Sequence, residues 1–168
     1  SPPVHAMEPL GDRITARPPA PDPAAILPVA VIGGGCAGYT AGLYLARGGA
    51  APVVFEGEPA GIELPGGQLM LTTDVENYPG FVDPIAGPDL MGRMRAQAAR
   101  HGVAFVTERV ASVDLSARPF TLVTTSGARH QAHALVIATG ASANWLHVPG
   151  EQRLRERGGG VSACAVCD

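Results

Sequence analysis

Residues 29–38 read Val-Ala-Val-Ile-Gly-Gly-Gly-Cys-Ala-Gly, and this stretch decides the fold. Its first four residues form a continuous apolar run, which is typical of a central parallel strand buried on both faces. The glycines lead into an Ala- and Leu-rich helix over residues 39–47, and a second apolar strand follows at residues 52–56. Strand, glycine turn, helix and strand in this order form the βαβ unit that binds dinucleotides.

Each glycine of the Gly33-x-Gly35-x-x-Gly38 pattern has a physical role. Gly33 permits the tight turn after the strand, Gly35 has no side chain to hold off a pyrophosphate, and Gly38 lets the helix pack close to the sheet. The free N–H groups and the positive dipole end of the helix then favour phosphate groups. Glu56, at the end of the second strand, is predicted to accept hydrogen bonds from ribose hydroxyls, with a solvated strand end as the alternative.

The composition of the chain narrows the class of protein. Its 168 residues are 46% hydrophobic, enough for one domain with a real core or for a domain plus part of another. A net charge of −3 without a basic block argues against nucleic acid as a partner. The apolar runs are too short to cross a bilayer, so no membrane partner is expected. Residues 1–27 are proline-rich and are predicted to be a tail or linker, and no secretory signal is recognised.

The long segment 57–80 contains several glycines and prolines and no clear periodicity. Loops of this length inside a compact domain usually have a function. Its polar side chains, which include Gln68, Thr73 and Asn77, are suited to contact a flat polar heterocycle. The alternative is an ordinary solvated loop.

The remainder of the chain predicts further α/β structure. An amphipathic helix starts at Gly87 and ends at Gly102, with Met91 and Met94 in the core. Alternating and apolar segments then predict five strands, at residues 103–106, 110–115, 120–125, 129–131 and 134–138. The first and last of these are expected to be parallel and buried, and the middle three to form a small antiparallel meander. Residues 141–160 are predicted to be a polar loop.

The fold class that follows is α/β, a Rossmann-like three-layer fold with a small antiparallel meander. His130 and His133 are expected on opposite faces of a strand, so the histidines form no metal set.

Cys164 and Cys167 have the C-x-x-C spacing, and Asp168 follows them directly. On a helical first turn two cysteines at this spacing can form a small, reducible disulfide, and Asp168 could exchange a proton with a leaving thiol. A zinc site is the alternative, but it needs four ligands and only Cys36 remains. Cys36, at a helix start, is expected to be a packing residue.

Four groups of motifs occur along the chain. They read Gly-Gly-Gly-Cys-Ala-Gly-Tyr-Thr-Ala (33–41), Gly-Gly-Gln-Leu (66–69) with Thr-Thr-Asp-Val-Glu-Asn-Tyr-Pro-Gly (72–80), Ala-Thr-Gly-Ala-Ser-Ala (138–143) and Val-Ser-Ala-Cys-Ala-Val-Cys-Asp (161–168). In this combination the chain resembles, over residues 28–168, the low-molecular-weight thioredoxin reductases.

The resemblance implies FAD as the bound cofactor and NADPH as the electron donor. It places the pyrophosphate at the motif glycines, the adenosine ribose near an acid, and the flavin between two loops. The residues implied at the pyrophosphate are Gly33, Gly35 and Gly38, and the acid near the ribose is Glu56. The residues implied along the flavin are Gln68, Thr73, Asn77, Thr139 and Gly140. In this family NADPH reduces the flavin, the flavin reduces the disulfide, and the dithiol reduces thioredoxin. Cys167 would be the sulfur near the flavin, Cys164 the sulfur that attacks thioredoxin, and Asp168 the acid and base.

The resemblance also implies a domain organisation, with an FAD-binding domain over residues 28–142 and the start of an NADPH-binding domain over residues 143–168. The family continues for roughly as many residues again, so residues 1–168 alone are expected to bind FAD weakly or not at all and to lack NADPH-dependent activity. The absent final strand would leave an open sheet edge. A homodimer is implied for the whole protein, with a cytoplasmic location or, as the alternative, a mitochondrial or chloroplast one.

Related functions stay open at this stage. They are a peroxiredoxin-reducing flavoprotein, a reductase fused to thioredoxin, and a non-catalytic flavin- or redox-binding fragment.

Overall fold

The computed structural model describes residue 22 and residues 24–59, 64–156 and 160–162. Its strands are β1 (Ile26–Ile32), β2 (Pro52–Phe55), β3 (Ala104–Val106), β4 (Val110–Asp114), β5 (Phe120–Thr124) and β6 (Arg129–Ile137). Its helices are α1 (Cys36–Arg47), α2 (Gly87–Arg100) and α3 (Glu151–Glu156), with a 3-10 helix over Gly67–Leu71. The strands form one six-stranded mixed sheet in the order β3-β2-β1-β6-β5-β4. The chain therefore has the Rossmann-like α/β fold that its sequence predicts.

The centre of the parallel half of the sheet is β1. It pairs in parallel with β2 on one side and with β6 on the other, so that Val31 lies opposite both Val54 and Val136. Val31 and Val54 are fully buried, and burial of such a side chain stabilises the fold by about 1.5–3 kcal/mol. The continuous apolar run is explained by this position, since β1 has a neighbour on each edge and a layer on each face.

Strand β1 begins at Ile26, two residues inside the segment that was predicted to be a tail. Proline cannot donate to a ladder, which is why the prediction placed the start after Pro28. The paired register with β6 includes Ile26 and Leu27, passes over Pro28 and continues at Val29. Leu27 is buried, so Ile26 and Leu27 belong to the sheet rather than to the predicted tail.

The prediction of two separate segments at residues 129–131 and 134–138 was wrong, because β6 is one strand of nine residues. Neither glycine nor proline interrupts residues 129–138, so nothing in the backbone stops the strand. Its first part pairs antiparallel with β5, while the strand pairs in parallel with β1 from Gln131 to Ile137. The meander and the parallel strands thus belong to one sheet. His130 is buried and His133 exposed, as their opposite faces predict.

Two clusters of buried side chains cover the two faces of the parallel strands. Val31, Leu90 and Phe105 belong to the cluster that also contains residues of α1 and α2. Phe55 and Leu122 belong to the other cluster, in which the meander strand β5 meets β1 and β2. The helices therefore cover one face of the parallel strands, and the meander end of the same sheet folds over the other face, which gives three layers. The carboxyl edge of the parallel strands stays accessible.

The second helix has the predicted start, with proline in its first turn and His101 as its C-cap. Met91 is buried and Met94 packs against the same core, which confirms their predicted structural role. The predicted loop over residues 141–160 was wrong in part, since α3 lies within it. Glu151, the first residue of α3, accepts hydrogen bonds from the backbone N–H groups of Leu146 and His147, at 3.0 and 2.6 Å, and so holds the preceding segment against the start of the helix. Among the described helices, none has the length and apolar character needed to span a bilayer.

Candidate functional site

The glycine-rich turn connects β1 to α1 at the carboxyl edge of the parallel strands. Gly33 has a φ of 121°, a conformation that favours glycine. A Cβ on Gly38 would overlap the carbonyl oxygen of Gly33 and lie 3.6 Å from Val31 Cγ1. The absence of a side chain at Gly38 therefore lets α1 approach both the turn and the sheet.

Gly35 differs from these two glycines because the position of its missing Cβ faces open space. The atom nearest to that position is the carbonyl oxygen of Gly66, 3.7 Å away. Gly35 is also the N-cap of α1, and because it has no side chain it cannot cap the N–H groups of the first turn. Helix N-termini leave N–H groups without intrahelical acceptors, and these groups favour an anion. The turn therefore fits a pyrophosphate.

A cleft of about 590 Å³ opens beside the turn, within the size range of cofactor sites. We call its two walls the β2 side, formed by residues 56–58 with Arg109 and Val110, and the β6 side, formed by residues 138–143 with Trp145. The predicted site residues that line the cleft are Gly33, Gly35, Glu56, Gln68, Thr139 and Gly140. Because the turn lies between the two walls, a dinucleotide on the turn would extend one half along each wall.

The structure does not bring Thr73 and Asn77 into the wall of this cleft. Both are exposed, on either side of Val75, which forms a backbone bridge with Ile85. Contact between these two side chains and a flavin stays a prediction.

Glu56 is the residue whose predicted role needs correction. Its side chain is only 4% exposed, and both carboxylate oxygens accept hydrogen bonds from the protein. Arg95 donates to both oxygens at 2.8 Å, Tyr39 Oη donates at 3.2 Å and Thr107 Oγ1 at 3.3 Å. A carboxylate has about four acceptor positions, and these four bonds use them. The side chain of Glu56 therefore connects α1 and α2 to the end of β2, and its carboxylate has no acceptor position left for a ribose hydroxyl.

The charge of this group affects its neighbours. Burial, together with the negative charge of Glu56, raises the pKa of Tyr39 well above its usual value. The hydrogen bond to Glu56 raises the pKa of Arg95, although partial burial opposes the shift. The Arg95 guanidinium also lies over the ring of Phe105, with Cζ 4.3 Å from its centroid. The network is thus neutral overall and positions the backbone of Glu56, which contacts the turn.

The sequence did not indicate several further residues of the site, among them Gly34 and three residues of the β2 side. A Cβ on Gly34 would overlap the side chain and the backbone of Glu56, so this glycine allows the turn to contact the end of β2. Glu58, Arg109 and Val110 line the β2 side. The sequence could have indicated these three residues, because they follow the ends of β2 and β3. The carboxyl ends of parallel strands meet at one edge of the sheet, where ligands bind.

Cys164, Cys167 and Asp168 lie outside the described residues. Cys36 was expected to be a packing residue, which was wrong, because it is exposed and free at the first position of α1. Within the described ranges, no group of three or more His, Cys, Asp or Glu side chains is arranged to hold a metal ion.

Comparison with known proteins identifies the family. Residues 27–168 match the model of the pyridine nucleotide-disulphide oxidoreductases. A thioredoxin reductase of Neurospora crassa is 49% identical over 142 residues, which are 83% of this chain and 42% of that protein. The NADPH-dependent thioredoxin reductase 3 of Arabidopsis thaliana is 51% identical over 140 residues, covering 83% of this chain and 26% of that protein. The solved thioredoxin reductase of Giardia duodenalis has a TM-score of 0.72 and 42% identity, covering 84% of this chain and 44% of that one.

The chain thus spans less than half the length of these relatives. The family model nevertheless covers the glycine turn, the cleft and the C-x-x-C pair together. The chain belongs to the pyridine nucleotide-disulphide oxidoreductase family.

Proposed function

We propose that the protein is a thioredoxin-disulfide reductase, which passes electrons from NADPH through FAD to the Cys164–Cys167 disulfide and on to thioredoxin. The observation that carries the proposal is the cleft at the glycine turn, where Gly35 leaves space for a pyrophosphate. Its support from known proteins is the similarity to thioredoxin reductases over 83% of the chain.

The residues present fit FAD. The N–H groups at the start of α1, with Gly33 and Gly35, would hold the pyrophosphate, and Gly38 would keep the helix close enough to do so. Thr139 and Gly140 on the β6 side, with Gln68 of the same cleft, would contact the flavin half. Contacts of Thr73 and Asn77 with the flavin are also proposed. When bound, FAD would supply the two-electron relay between the nicotinamide and the disulfide.

The cysteine pair would act by thiol–disulfide exchange. The Cys164 thiolate attacks one sulfur of the thioredoxin disulfide, which forms a mixed disulfide and releases the other thioredoxin sulfur as a thiolate. The Cys167 thiolate then attacks Cys164, so that the second thioredoxin thiolate leaves and the Cys164–Cys167 disulfide closes. Two electrons have passed to thioredoxin, and Asp168 would hold and deliver a proton for the leaving sulfur. Two electrons from NADPH restore the dithiol.

The whole protein is further proposed to be a cytoplasmic homodimer, on the resemblance alone. Sedimentation of the purified protein would measure its oligomeric state.

The experiment for the proposed function uses the protein encoded by the complete gene. We expect it to reduce thioredoxin with NADPH, whereas Cys164→Ser and Cys167→Ser abolish this activity and leave FAD binding within a factor of about three of the wild type. Glu108→Ala, which lies outside the cleft wall, serves as a matched surface control and should retain activity. A wild-type protein without FAD, or a Cys164→Ser variant that still reduces thioredoxin, would overturn the proposal.

A further inference from the structure

The carboxylate of Glu58 joins segments that are far apart in the sequence. Its Oε2 accepts a hydrogen bond from the backbone N–H of Arg109 at 3.0 Å, across 51 residues. Its Oε1 accepts one from Thr125 Oγ1 at 2.8 Å, across 67 residues. The N–H of Thr125 donates in turn to the carbonyl oxygen of Arg109 at 2.9 Å. One carboxylate thus fixes the segment after β2, the segment after β3 and the end of β5.

Glu58 and Arg109, which make these bonds, belong to the β2 side of the cleft. Glu58, Arg109 and Val110 all line it, and Glu58 is half-buried. Hydrogen bonds to an ionised carboxylate are stronger than neutral ones. The backbone of Glu56 is fixed separately, because its N–H donates to the carbonyl oxygen of Val106 at 3.0 Å. Between the two acids, Gly57 has a φ of 82° and no atom near its Cβ position. The carboxylate of Glu58 therefore connects the segment after Gly57 to Arg109 and Thr125.

We infer that Glu58 is a positioning residue for the nucleoside half of the cofactor. It holds the backbone of Arg109 and the adjoining Val110 in place on the β2 side, so that the cleft selects a flavin that carries an adenosine over one that ends at its phosphate. The inference rests on the proposed function, because it takes FAD as the ligand. The flavin half on the β6 side does not depend on Glu58, and this difference makes the role measurable.

The chain contains a matched control. Glu108 Oε2 accepts a hydrogen bond from Ser126 Oγ at 2.7 Å, so this pair has the same chemistry as the pair of Glu58 with Thr125 and is its neighbour. Glu108 does not line the cleft. Glu108→Ala therefore removes a similar hydrogen bond at the surface but no side chain that lines the cleft.

The experiment measures binding of FAD, ADP and FMN to the apoprotein made from the complete gene, for the wild type, Glu58→Ala, Glu58→Gln and Glu108→Ala. We expect Glu58→Ala to weaken the binding of FAD and of ADP by the same factor, roughly 10- to 100-fold. The binding of FMN should weaken by less than about threefold. Glu58→Gln should recover most of the loss, because its amide can accept from Arg109 and donate to Thr125. Glu108→Ala should bind all three ligands as the wild type does.

Several results would overturn the inference. One is a Glu58→Ala variant that binds FAD as tightly as the wild type. Another is an equal loss of affinity for FMN and FAD, which is the result expected if Glu58 only stabilises the fold. Thr125→Val, which removes only one of the two bonds, tests the same point if Glu58→Ala does not fold. Thr125→Val should weaken the binding of FAD and ADP more than the binding of FMN. An equal loss of affinity for all three ligands would count against the proposed role of Glu58. A wild-type protein that binds no FAD would overturn the proposed function as well, so the two failures are distinguishable.

Discussion

Substitution of Gly35 by alanine separates the demands of folding from those of cofactor binding. Gly35 has φ −110° and ψ −171°, which any residue adopts. A methyl group there would have its nearest neighbour 3.7 Å away, an ordinary contact. Alanine is a weaker N-cap than glycine, but it also lowers the entropy of the unfolded chain, so we expect the free energy of unfolding to change by less than about 1 kcal/mol.

The effect of Gly35→Ala on binding should be much larger. The methyl group would lie between Gly35 and Gly66, both in the cleft wall, where the pyrophosphate is expected. Loss of one or two hydrogen bonds to a charged acceptor costs about 1.5–3 kcal/mol each. The dissociation constant for FAD should therefore rise at least about tenfold.

The assay combines urea unfolding of the apoprotein with titration by FAD, and Gly38→Ala is the comparison variant. A Cβ on Gly38 would overlap the carbonyl oxygen of Gly33, so this variant should lose about 2–3 kcal/mol of stability. The reasoning would be refuted if Gly35→Ala bound FAD with unchanged affinity. It would also be refuted if Gly35→Ala were destabilised as much as Gly38→Ala.

Two further predictions concern the network around Glu56. Arg95→Met leaves a buried carboxylate without its cation and should lower the free energy of unfolding by about 2–3 kcal/mol in urea; this is less than for a fully buried pair, because the Arg95 side chain is 39% exposed. Arg93→Met is the matched control on α2, with an expected loss below about 1 kcal/mol, and equal losses in the two variants would contradict the prediction. The pKa of Tyr39 is raised by burial and by Glu56. Above the ordinary tyrosine pKa of about 10, the unfolded chain therefore releases a proton that the folded protein keeps. The free energy of unfolding consequently falls as the pH rises. Tyr39→Phe should lose less stability than the wild type between about pH 10 and 12, and an equally steep decline in both would argue against this account.

The local features of the fold were predictable from the sequence because they depend on neighbouring residues. The run of residues 29–32, the glycine turn and the helix after it are fixed by periodicity and by the lack of side chains at Gly33 and Gly38. The start of α2 was likewise indicated by its proline. These features need no knowledge of the tertiary structure.

The features that the sequence did not reveal depend on distant partners. Strand β6 contains an alternating part and an apolar part, and only the strand order shows that one strand serves both β5 and β1. Glu56 occupies the position of a ribose acceptor, but Arg95, 39 residues away, supplies its partner. Glu58 was missed for the same reason, since Arg109 and Thr125 come close to it only when the meander folds over the parallel strands.

The most direct test of the account is an anaerobic titration of the protein encoded by the complete gene with NADPH, followed by alkylation of its thiols. The account predicts that the visible flavin band is bleached and that Cys164 and Cys167 change from unreactive to alkylated as the band disappears. A protein without a flavin band, or one in which the band is bleached while both cysteines stay unreactive, would contradict it.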